Sequence, residues 1–408
     1  MTQPSTTVAP TTAGSGAAGG VPHQSPRRRP TPAAVAARLP AAVWALALFL
    51  TARLTGTLVL VLTARAMGKR PLAVLGRSWD SNWYLRIAAE GYGHSKQYPH
   101  ILASDLAFFP LYPGLVRAVT EIVPLSGGAA GLLVSWTAAA VAACGIYAVG
   151  ARLHDRATAT ALVLLWGLLP HSVILSLAYT EPVLTACAAW ALYAVLTGRW
   201  LWAGTLAALA GLARPNGIAV AAAVLAAAAY EVWRRRGRKV PHSLWTGVAL
   251  APLGWGGFVL WVGVRQGDPL HGYFTVQRRW GSRFDFGVGA LGFVRHLLLH
   301  HARFAYAMTT VIAAVALVLL ALLLLDRAPL PLLVYSAVLL LIALGGDGFF
   351  ASKPRFLLPA FPLLLPPAAA LAGTARARPW HAAVVVGALA GLSYVYGAFL
   401  VVVNRTPL

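Results

Sequence analysis

The stretch "AAVWALALFLTARLTGTLVLVLT", residues 41–63, decides the class of fold that this chain adopts. It carries one charge, Arg53, and it is long enough to cross a bilayer, which takes about 20 residues of helix. The whole chain has the same character, because 59% of its 408 residues are hydrophobic and 11% are charged, with a mean hydropathy of +0.69. The sequence therefore predicts an all-α polytopic membrane protein.

The net charge of +22 would suggest a nucleic-acid partner in a soluble chain. Here most basic residues lie in short gaps between apolar runs, where they act as signals of membrane orientation. The sequence therefore predicts the membrane as a partner, and no nucleic acid. The two cysteines, Cys144 and Cys187, lie inside apolar runs, so no disulfide framework is indicated.

Apolar runs of spanning or near-spanning length predict about eleven transmembrane helices. With the N-terminus in the cytoplasm, every cytoplasmic gap is basic, as the positive-inside rule requires. The predicted spans are 41–63, 128–150, 157–177, 182–197, 200–213, 217–233, 244–264, 303–325, 329–344, 356–374 and 381–403. The cytoplasmic basic residues are Arg152 and Arg156, Arg199, the run at 234–239, Arg327, and Arg376 with Arg378.

This orientation also divides the rest of the chain. Residues 1–40 are rich in small and polar residues and are predicted to be a disordered cytoplasmic tail. Residues 41–408 are predicted to form one transmembrane domain in the plasma membrane, with extracytoplasmic loops at about 64–127 and 265–302. Most of the unusual polar residues fall on that outer side: Asp80, Asp105, Glu181, Arg214, Asn216, Asp268, Gln277, Lys353 and Arg355. Charges at membrane depth persist when they are paired or used, so a site on the outer face is expected.

The large first loop contains "RSWDSNWYLRIAAEGYG", residues 77–93. Trp79, Trp83 and Ile87 recur at helical spacing, which predicts a helix lying at the membrane interface. Gly91 is expected to end this helix. Asp80 would lie in its first turn, where a carboxylate is favoured as a cap. Capping and catalysis are both open for Asp80 from these residues alone.

A resemblance to a known family bears on that choice. The stretch from Trp79 to Gly93, followed by "LAFFPLYPGLVR" at 106–117, resembles the first luminal loop of the PIG-V family of GPI mannosyltransferases and their bacterial relatives. Further similar motifs follow in the same order: "LAYTEPVL" at 177–184, "ARPNGI" at 213–218, "GDPL" and "VQRRWG" within 267–281, and "SKPRFLLPAFPL" at 352–363. The similarity extends over about residues 40–403.

The resemblance implies a GT-C glycosyltransferase, a helical membrane enzyme that uses a polyprenyl phosphate sugar, usually mannose, on the non-cytoplasmic side. It places Asp80 at the position of the acidic residue that acts as the base. Inverting transfer to a lipid or glycan acceptor of the cell envelope needs such a base, and it needs cations to hold the departing phosphate. Arg214, Lys353 and Arg355 are the candidates for binding the donor phosphate, although snorkelling of long cationic chains would also explain them.

Six residues are candidates for binding acceptor or sugar: Trp79, Trp83, Asp105, Glu181, Gln277 and Trp280. Each has a simpler explanation as well. Aromatic residues are enriched at membrane interfaces, Glu181 precedes a proline where a helix would start, and Asp105 suits an ordinary loop.

The sequence contains no metal-ligand spacing and no nucleotide-binding motif, so neither a metal nor another cofactor is predicted, although some GT-C enzymes need a divalent ion. The alternative function is a polyprenyl-linked lipid flippase or transporter. Transporters tend to place charges at the membrane midplane within repeated halves. This chain instead places its polar residues at outer helix ends and has no evident internal repeat.

Overall fold

The computed structural model describes residues 39–98, 101–300 and 303–404. The predicted tail, up to residue 38, lies outside them. From Pro40 onward the chain forms one compact unit. The helices in order are α1 (Leu39–Ala66), α2 (Pro71–Gly76), α3 (Asp80–Glu90), α4 (Leu111–Ile122), α5 (Gly127–Leu153), α6 (Arg156–Gly167), α7 (Glu181–Leu196), α8 (Trp200–Ala213), α9 (Ile218–Arg235), α10 (His242–Leu250), α11 (Leu253–Arg265), α12 (Gly272–Arg279), α13 (Val288–Leu299), α14 (Phe304–Leu325), α15 (Leu330–Gly345), α16 (Lys353–Leu357), α17 (Leu365–Ala377) and α18 (Pro379–Ala398).

Short elements complete the chain. Two antiparallel ribbons are formed by β1 (Ser95–Tyr98) with β2 (Ile101–Ser104), and by β3 (Arg283–Phe284) with β4 (Gly346–Asp347). The second ribbon joins the predicted loop at 265–302 to the short segment after α15. Single turns of 3₁₀ or π helix lie at Asp105–Ala107, Ser172–Ser176, Pro215–Gly217, Phe350–Ser352, Phe361–Leu364 and Phe399–Val403.

The predicted helical membrane architecture is present, but the predicted number of spans is not reproduced. Within the described residues, six helices are long and apolar enough to cross a membrane, or seven if the pair bent by 74° at residues 350–377 counts as one span. The six are Ala41–Ala66, Gly127–Leu153, Pro215–Arg235, His242–Arg265, Phe304–Leu325 and Pro379–Val403. Four more apolar helices, α7, α8, α13 and α15, are shorter than a full span.

The predicted span at 157–177 is interrupted. Helix α6 ends at Gly167 after 12 residues, and a 3₁₀ turn occupies Ser172–Ser176. Pro170 explains the break, since proline lacks an N–H group and disfavours helical geometry in the preceding residue. Buried Arg53 of α1 then supports the irregular backbone by donating to the Gly167 carbonyl (3.0 Å) and to the Ser176 hydroxyl (2.9 Å).

Small residues allow the central helices to pack closely. Helix α5 packs on α7, α7 on α8, and α8 on α10. At the α8–α10 crossing, a Cβ atom added to Gly204 would lie 2.3 Å from the carbonyl oxygen of Gly247. Backbones that approach this closely exclude any side chain, as is common between membrane helices.

The helix predicted within residues 77–93 is present as α3, and Gly91, at φ +80°, ends it as predicted. Its position at the membrane interface stays a prediction. Of the three apolar residues at helical spacing, Ile87 is buried, whereas Trp79 is exposed and Trp83 is partly exposed. Ser81, Tyr84, Ile87 and Ala88 are buried, and the helix packs on α4 and α5. The side of α3 that carries Trp79 and Trp83 is left to line a cavity.

Candidate active site

A cavity of about 1270 Å³ lies where α3, the starts of α9 and α16, helix α12 and the β3–β4 ribbon meet. These elements come from segments that are far apart in the sequence. Eight of the ten predicted site residues line it: Trp79, Asp80, Trp83, Arg214, Gln277, Trp280, Lys353 and Arg355. The other two, Asp105 and Glu181, lie in the surrounding protein, and each is 1% exposed.

Asp80 is the first residue of α3 and projects toward α16. Its Oδ2 atom lies 2.8 Å from Nη1 of Arg355, and its side chain keeps 22% of its exposure. The N-cap residue of α3 is Trp79, and its side chain makes no capping hydrogen bond. The carboxylate therefore serves an ion pair on the cavity wall, which favours the non-capping interpretation of Asp80.

Arg355 and Arg214 share a second carboxylate. The Nε atom of Arg355 is 3.2 Å from Oε1 of Glu181, and Nη1 of Arg214 contacts the same oxygen. Both arginines are buried, with 5% and 7% exposure. Asp80, Arg355, Glu181 and Arg214 thus form a chain of alternating charges, called the charge quartet below.

The local sequence explains how the quartet is assembled. Glu181 begins α7 immediately before Pro182, which suits the first helical turn. Arg214 is extended (φ −158°, ψ 161°) because Pro215 ends α8 there. The chain breaks before α3 and before α7 therefore direct Asp80 and Glu181 at Arg355. The break after α8 directs Arg214 at Glu181.

Aromatic rings support the two guanidinium groups. The Arg355 guanidinium lies 5.3 Å from the ring centre of Tyr179 and 5.2 Å from that of Phe356. The Arg214 guanidinium lies 5.4 Å from the ring of Phe356. Arginine stacks well on aromatic faces, so the rings limit the positions that the cations can take. Tyr179 and Phe356 were not selected from the sequence, although both lie inside the motifs at 177–184 and 352–363.

Lys353 is held by backbone carbonyl groups. Its ammonium group donates to the Ala343 oxygen (2.9 Å) and to the Gly346 oxygen. An ammonium group has three donors, so one N–H remains for a ligand in the cavity. Asn216 offers a further donor, because its Nδ2 atom is buried and has no hydrogen-bond partner among the described residues.

Another part of the cavity wall is formed by aromatic side chains. Trp83 stacks on Phe108 (5.7 Å between ring centres) and meets Trp280 edge-on (5.4 Å). The indole N–H of Trp280 donates to the Ser104 oxygen (2.9 Å), which ties α12 to β2. Gln277 donates to the Tyr273 hydroxyl (2.7 Å), so its amide oxygen remains available. Such a wall suits the faces of a sugar ring or an isoprenoid chain.

Asp105 has a different environment. Its Oδ2 atom accepts hydrogen bonds from the backbone N–H groups of Gly93 (2.9 Å) and His94 (2.8 Å), and the His94 ring is 3.4 Å away. It therefore fastens the segment after α3 to the segment after β2. The sequence identified an unusual carboxylate here but could not show that neighbouring backbone groups bind it.

Among the described residues, no three His, Cys, Asp or Glu side chains are grouped so that they could hold a metal ion. Metal independence nevertheless remains a prediction.

Comparison with known proteins gives two kinds of similarity. The family model described as Mannosyltransferase (PIG-V) matches residues 60–236. The apo crystal structure of the Archaeoglobus fulgidus oligosaccharyltransferase aligns with 88% of this chain and 56% of its own, at a TM-score of 0.50 and 13% identity. The same coverage is found for AglB from that organism in complex with an inhibitory peptide and a dolichol-phosphate, at a TM-score of 0.48 and 11% identity. None of the curated protein sequences compared is significantly similar.

These findings confirm the PIG-V resemblance over residues 60–236 and the GT-C fold class. They support a multi-pass membrane glycosyltransferase. The family match contains Asp80, Glu181 and Arg214, whereas Lys353 and Arg355 lie beyond it. The chain spans little more than half the length of the archaeal enzyme whose fold it shares.

Proposed function

We propose that this protein transfers a hexose, with mannose as the first candidate, from a polyprenyl phosphate sugar to a lipid or glycan acceptor of the cell envelope. The reaction inverts the anomeric centre and takes place on the extracytoplasmic face of the plasma membrane. The observation that carries this proposal is the Asp80 carboxylate, which pairs with buried Arg355 on the wall of a large cavity that buried Arg214 also lines.

Asp80 is the proposed general base. It takes the proton of the acceptor hydroxyl while that oxygen forms a bond to the anomeric carbon. The bond between that carbon and the phosphate oxygen breaks at the same time, and its electron pair leaves with the polyprenyl phosphate. Partial exposure in a large cavity suits this role, since a base must reach the proton that it removes.

Arg214, Arg355 and Lys353 are proposed to hold the donor phosphate. Arginine can give a phosphate two parallel hydrogen bonds, and charge that develops on the leaving phosphate is stabilised best by donors already in place. The aromatic supports and backbone contacts of these three cations keep them in place before substrate arrives. Trp79, Trp83, Gln277 and Trp280 are proposed to contact the sugar and acceptor.

The extracytoplasmic orientation is supported by the basic gaps between helices. Clusters such as residues 234–239 follow the expected cytoplasmic bias, and the cavity residues lie at the other ends of these helices in the predicted topology. No divalent ion is proposed for the reaction, since each charged role is assigned to a side chain.

The test uses purified protein in detergent with polyprenyl phosphate mannose and a lipid extract of the cell envelope. Formation of a mannosylated product in the absence of a sealed compartment supports a transferase, and Asp80→Asn protein serves as the matched control. Donors that carry glucose, and GDP-mannose, define the donor class. If sealed vesicles instead show donor lipid crossing the bilayer, with no glycosylated product from any acceptor, the flippase alternative is correct.

A further inference from the structure

Glu181 contacts both arginines of the cavity wall. One of its oxygen atoms, Oε1, contacts both Nη1 of Arg214 and Nε of Arg355. We infer that Glu181 is a positioning residue that sets the basicity of Asp80 through Arg355, rather than a ligand for sugar or acceptor. This inference rests on the proposed function, because it assigns Glu181 a task in the same site.

Burial argues against direct contact between Glu181 and substrate. The Glu181 side chain is 1% exposed, whereas the Asp80 side chain is 22% exposed. Both arginines line the cavity, and Glu181 lies behind them. A hydroxyl group of a sugar would therefore reach the guanidinium groups before it reached this carboxylate.

Charge balance gives Glu181 its effect on Asp80. The quartet carries two negative and two positive charges, which sum to zero, and Arg355 divides its interaction between two carboxylates. An unshared arginine would stabilise the ionised form of Asp80 more strongly, because an opposite charge at this range favours that form. A more strongly stabilised carboxylate is a weaker base, so Glu181 keeps Asp80 reactive while it fixes both cations.

Other titratable groups also face this cluster. Tyr84 and Tyr179 lie within electrostatic range of Asp80, Glu181 and Arg355, and His171 lies within range of Arg355. Tyr84 belongs to α3, outside the membrane-spanning segments, and burial raises the pKa of its phenol, so this group stays neutral at ordinary pH. These three residues are unchanged in every variant proposed below. A change in the pH profile therefore reports the charge at position 181.

The experiment measures kcat and KM for the donor across pH with wild-type and Glu181→Gln protein. Gln keeps the shape of the side chain and removes its charge. The acid limb of kcat/KM, on which activity rises as the base ionises, should move to lower pH by about one unit. At neutral pH, kcat should fall about threefold to tenfold because the base is weaker. The donor KM should not rise, since the arginines lose a competing carboxylate.

Three results would overturn the inference. An unmoved acid limb with a raised KM for donor or acceptor would show that Glu181 contacts substrate. An unmoved limb together with lower thermal stability would show a purely structural role. An acid limb that moves to higher pH would contradict the charge argument. Glu121→Gln is the matched control, because it removes a carboxylate from an exposed pair with Arg117 (2.8 Å) and should leave the profile unchanged.

Glu181→Asp keeps the test decisive if Glu181→Gln does not fold. The shorter side chain withdraws the charge from Arg355, so the acid limb should move in the same direction by a smaller amount. An unmoved limb in this variant overturns the inference. Failure of the proposed function is distinguishable, because wild-type protein would then show no transfer at any pH.

Discussion

The Arg355 guanidinium lies 2.8 Å from the Asp80 carboxylate, across an interface between the first turn of α3 and the short helix α16. Asp155 provides a contrast, because its carboxylate accepts the backbone N–H of Thr158 (2.8 Å) and caps α6. Two aspartates at helix starts therefore have different partners. Asp155 caps a helix and has an exposed cation, Arg376, beside it (3.2 Å), whereas Asp80 pairs with a buried cation on a cavity wall.

Asp80→Asn should separate these two roles. Loss of the general base should lower the rate by about 10² to 10⁴. The amide keeps the shape of the side chain but loses the charge that pairs with Arg355, so the free energy of unfolding should fall by about 1 to 2 kcal/mol. Activity assays and thermal unfolding in detergent measure both effects.

The control for this variant is Asp155→Asn. Asn is among the best capping residues, so stability should change by only about a few tenths of a kcal/mol, and activity should be retained. Near-normal turnover of Asp80→Asn protein would contradict the assignment of the base.

The backbone of Trp79 has an unusual conformation immediately before Asp80. Its φ is +50° and its ψ is −111°, which L-residues rarely adopt and glycine adopts freely. Such conformations cost about 1 to 3 kcal/mol and cluster at functional sites. The conformation of Trp79 sets the direction in which α3 begins, and therefore the position of Asp80.

Trp79→Gly and Trp79→Ala separate the backbone of this residue from its ring. Both variants remove the indole, but Gly relieves the strain, so its melting temperature should exceed that of the Ala variant. At Trp83, inside α3, the order should reverse, because glycine in a helix costs about 1 kcal/mol relative to alanine. If the Ala variant has the higher melting temperature at position 79 as well as at position 83, the conformation of Trp79 carries no strain.

Hydropathy and motif order predicted much of this structure. Apolar runs showed that the chain is a helical membrane protein, and the motif at 352–363 drew attention to Lys353 and Arg355. The contact between Asp80 and Arg355 could not be predicted, because a single sequence carries no information on which distant side chains meet. The break after Gly167, inside the predicted span at 157–177, was missed because hydropathy reports only how apolar a segment is. It carries no information on how Pro170 changes helix geometry.

Asp105 illustrates a different limit. Residue type and position made it a candidate for binding the acceptor, yet its hydrogen-bond donors are backbone N–H groups, which any sequence offers. We therefore expect Asp105→Asn to reduce stability by about 1 to 3 kcal/mol, since a buried, charge-assisted pair of hydrogen bonds is weakened. The KM values for donor and acceptor should stay close to those of the wild type.

Asp268→Asn is the matched control for Asp105. Asp268 also accepts two backbone N–H groups, from Leu270 (3.2 Å) and His271 (3.0 Å), but it is exposed. Its substitution should cost much less stability. A raised acceptor KM with unchanged stability in Asp105→Asn protein would restore Asp105 as a ligand.

The last prediction concerns the side of the membrane on which the cavity opens. Ser95 on β1 and Arg238 in the basic run at 234–239 are both exposed. Cysteine at position 95 should react with an impermeant thiol reagent in intact cells, and cysteine at position 238 should react after permeabilisation. Wild-type protein measures the background labelling of its two own cysteines, Cys144 and Cys187, which are partly buried.

The result also decides how the interrupted segment at 156–176 lies. Helices α5, α7, α8 and α9 lie between the two labelled positions, and four crossings would leave both positions on one side. A fifth crossing by α6 with its 3₁₀ turn places them on opposite sides. Opposite labelling is expected, because the positive-inside rule predicts that the basic run is cytoplasmic, and Ser95 adjoins the cavity wall at Lys96. Labelling of both positions in intact cells would mean that an even number of these segments cross, as when the segment broken at Pro170 turns back. Labelling of position 238 alone would place the cavity in the cytoplasm.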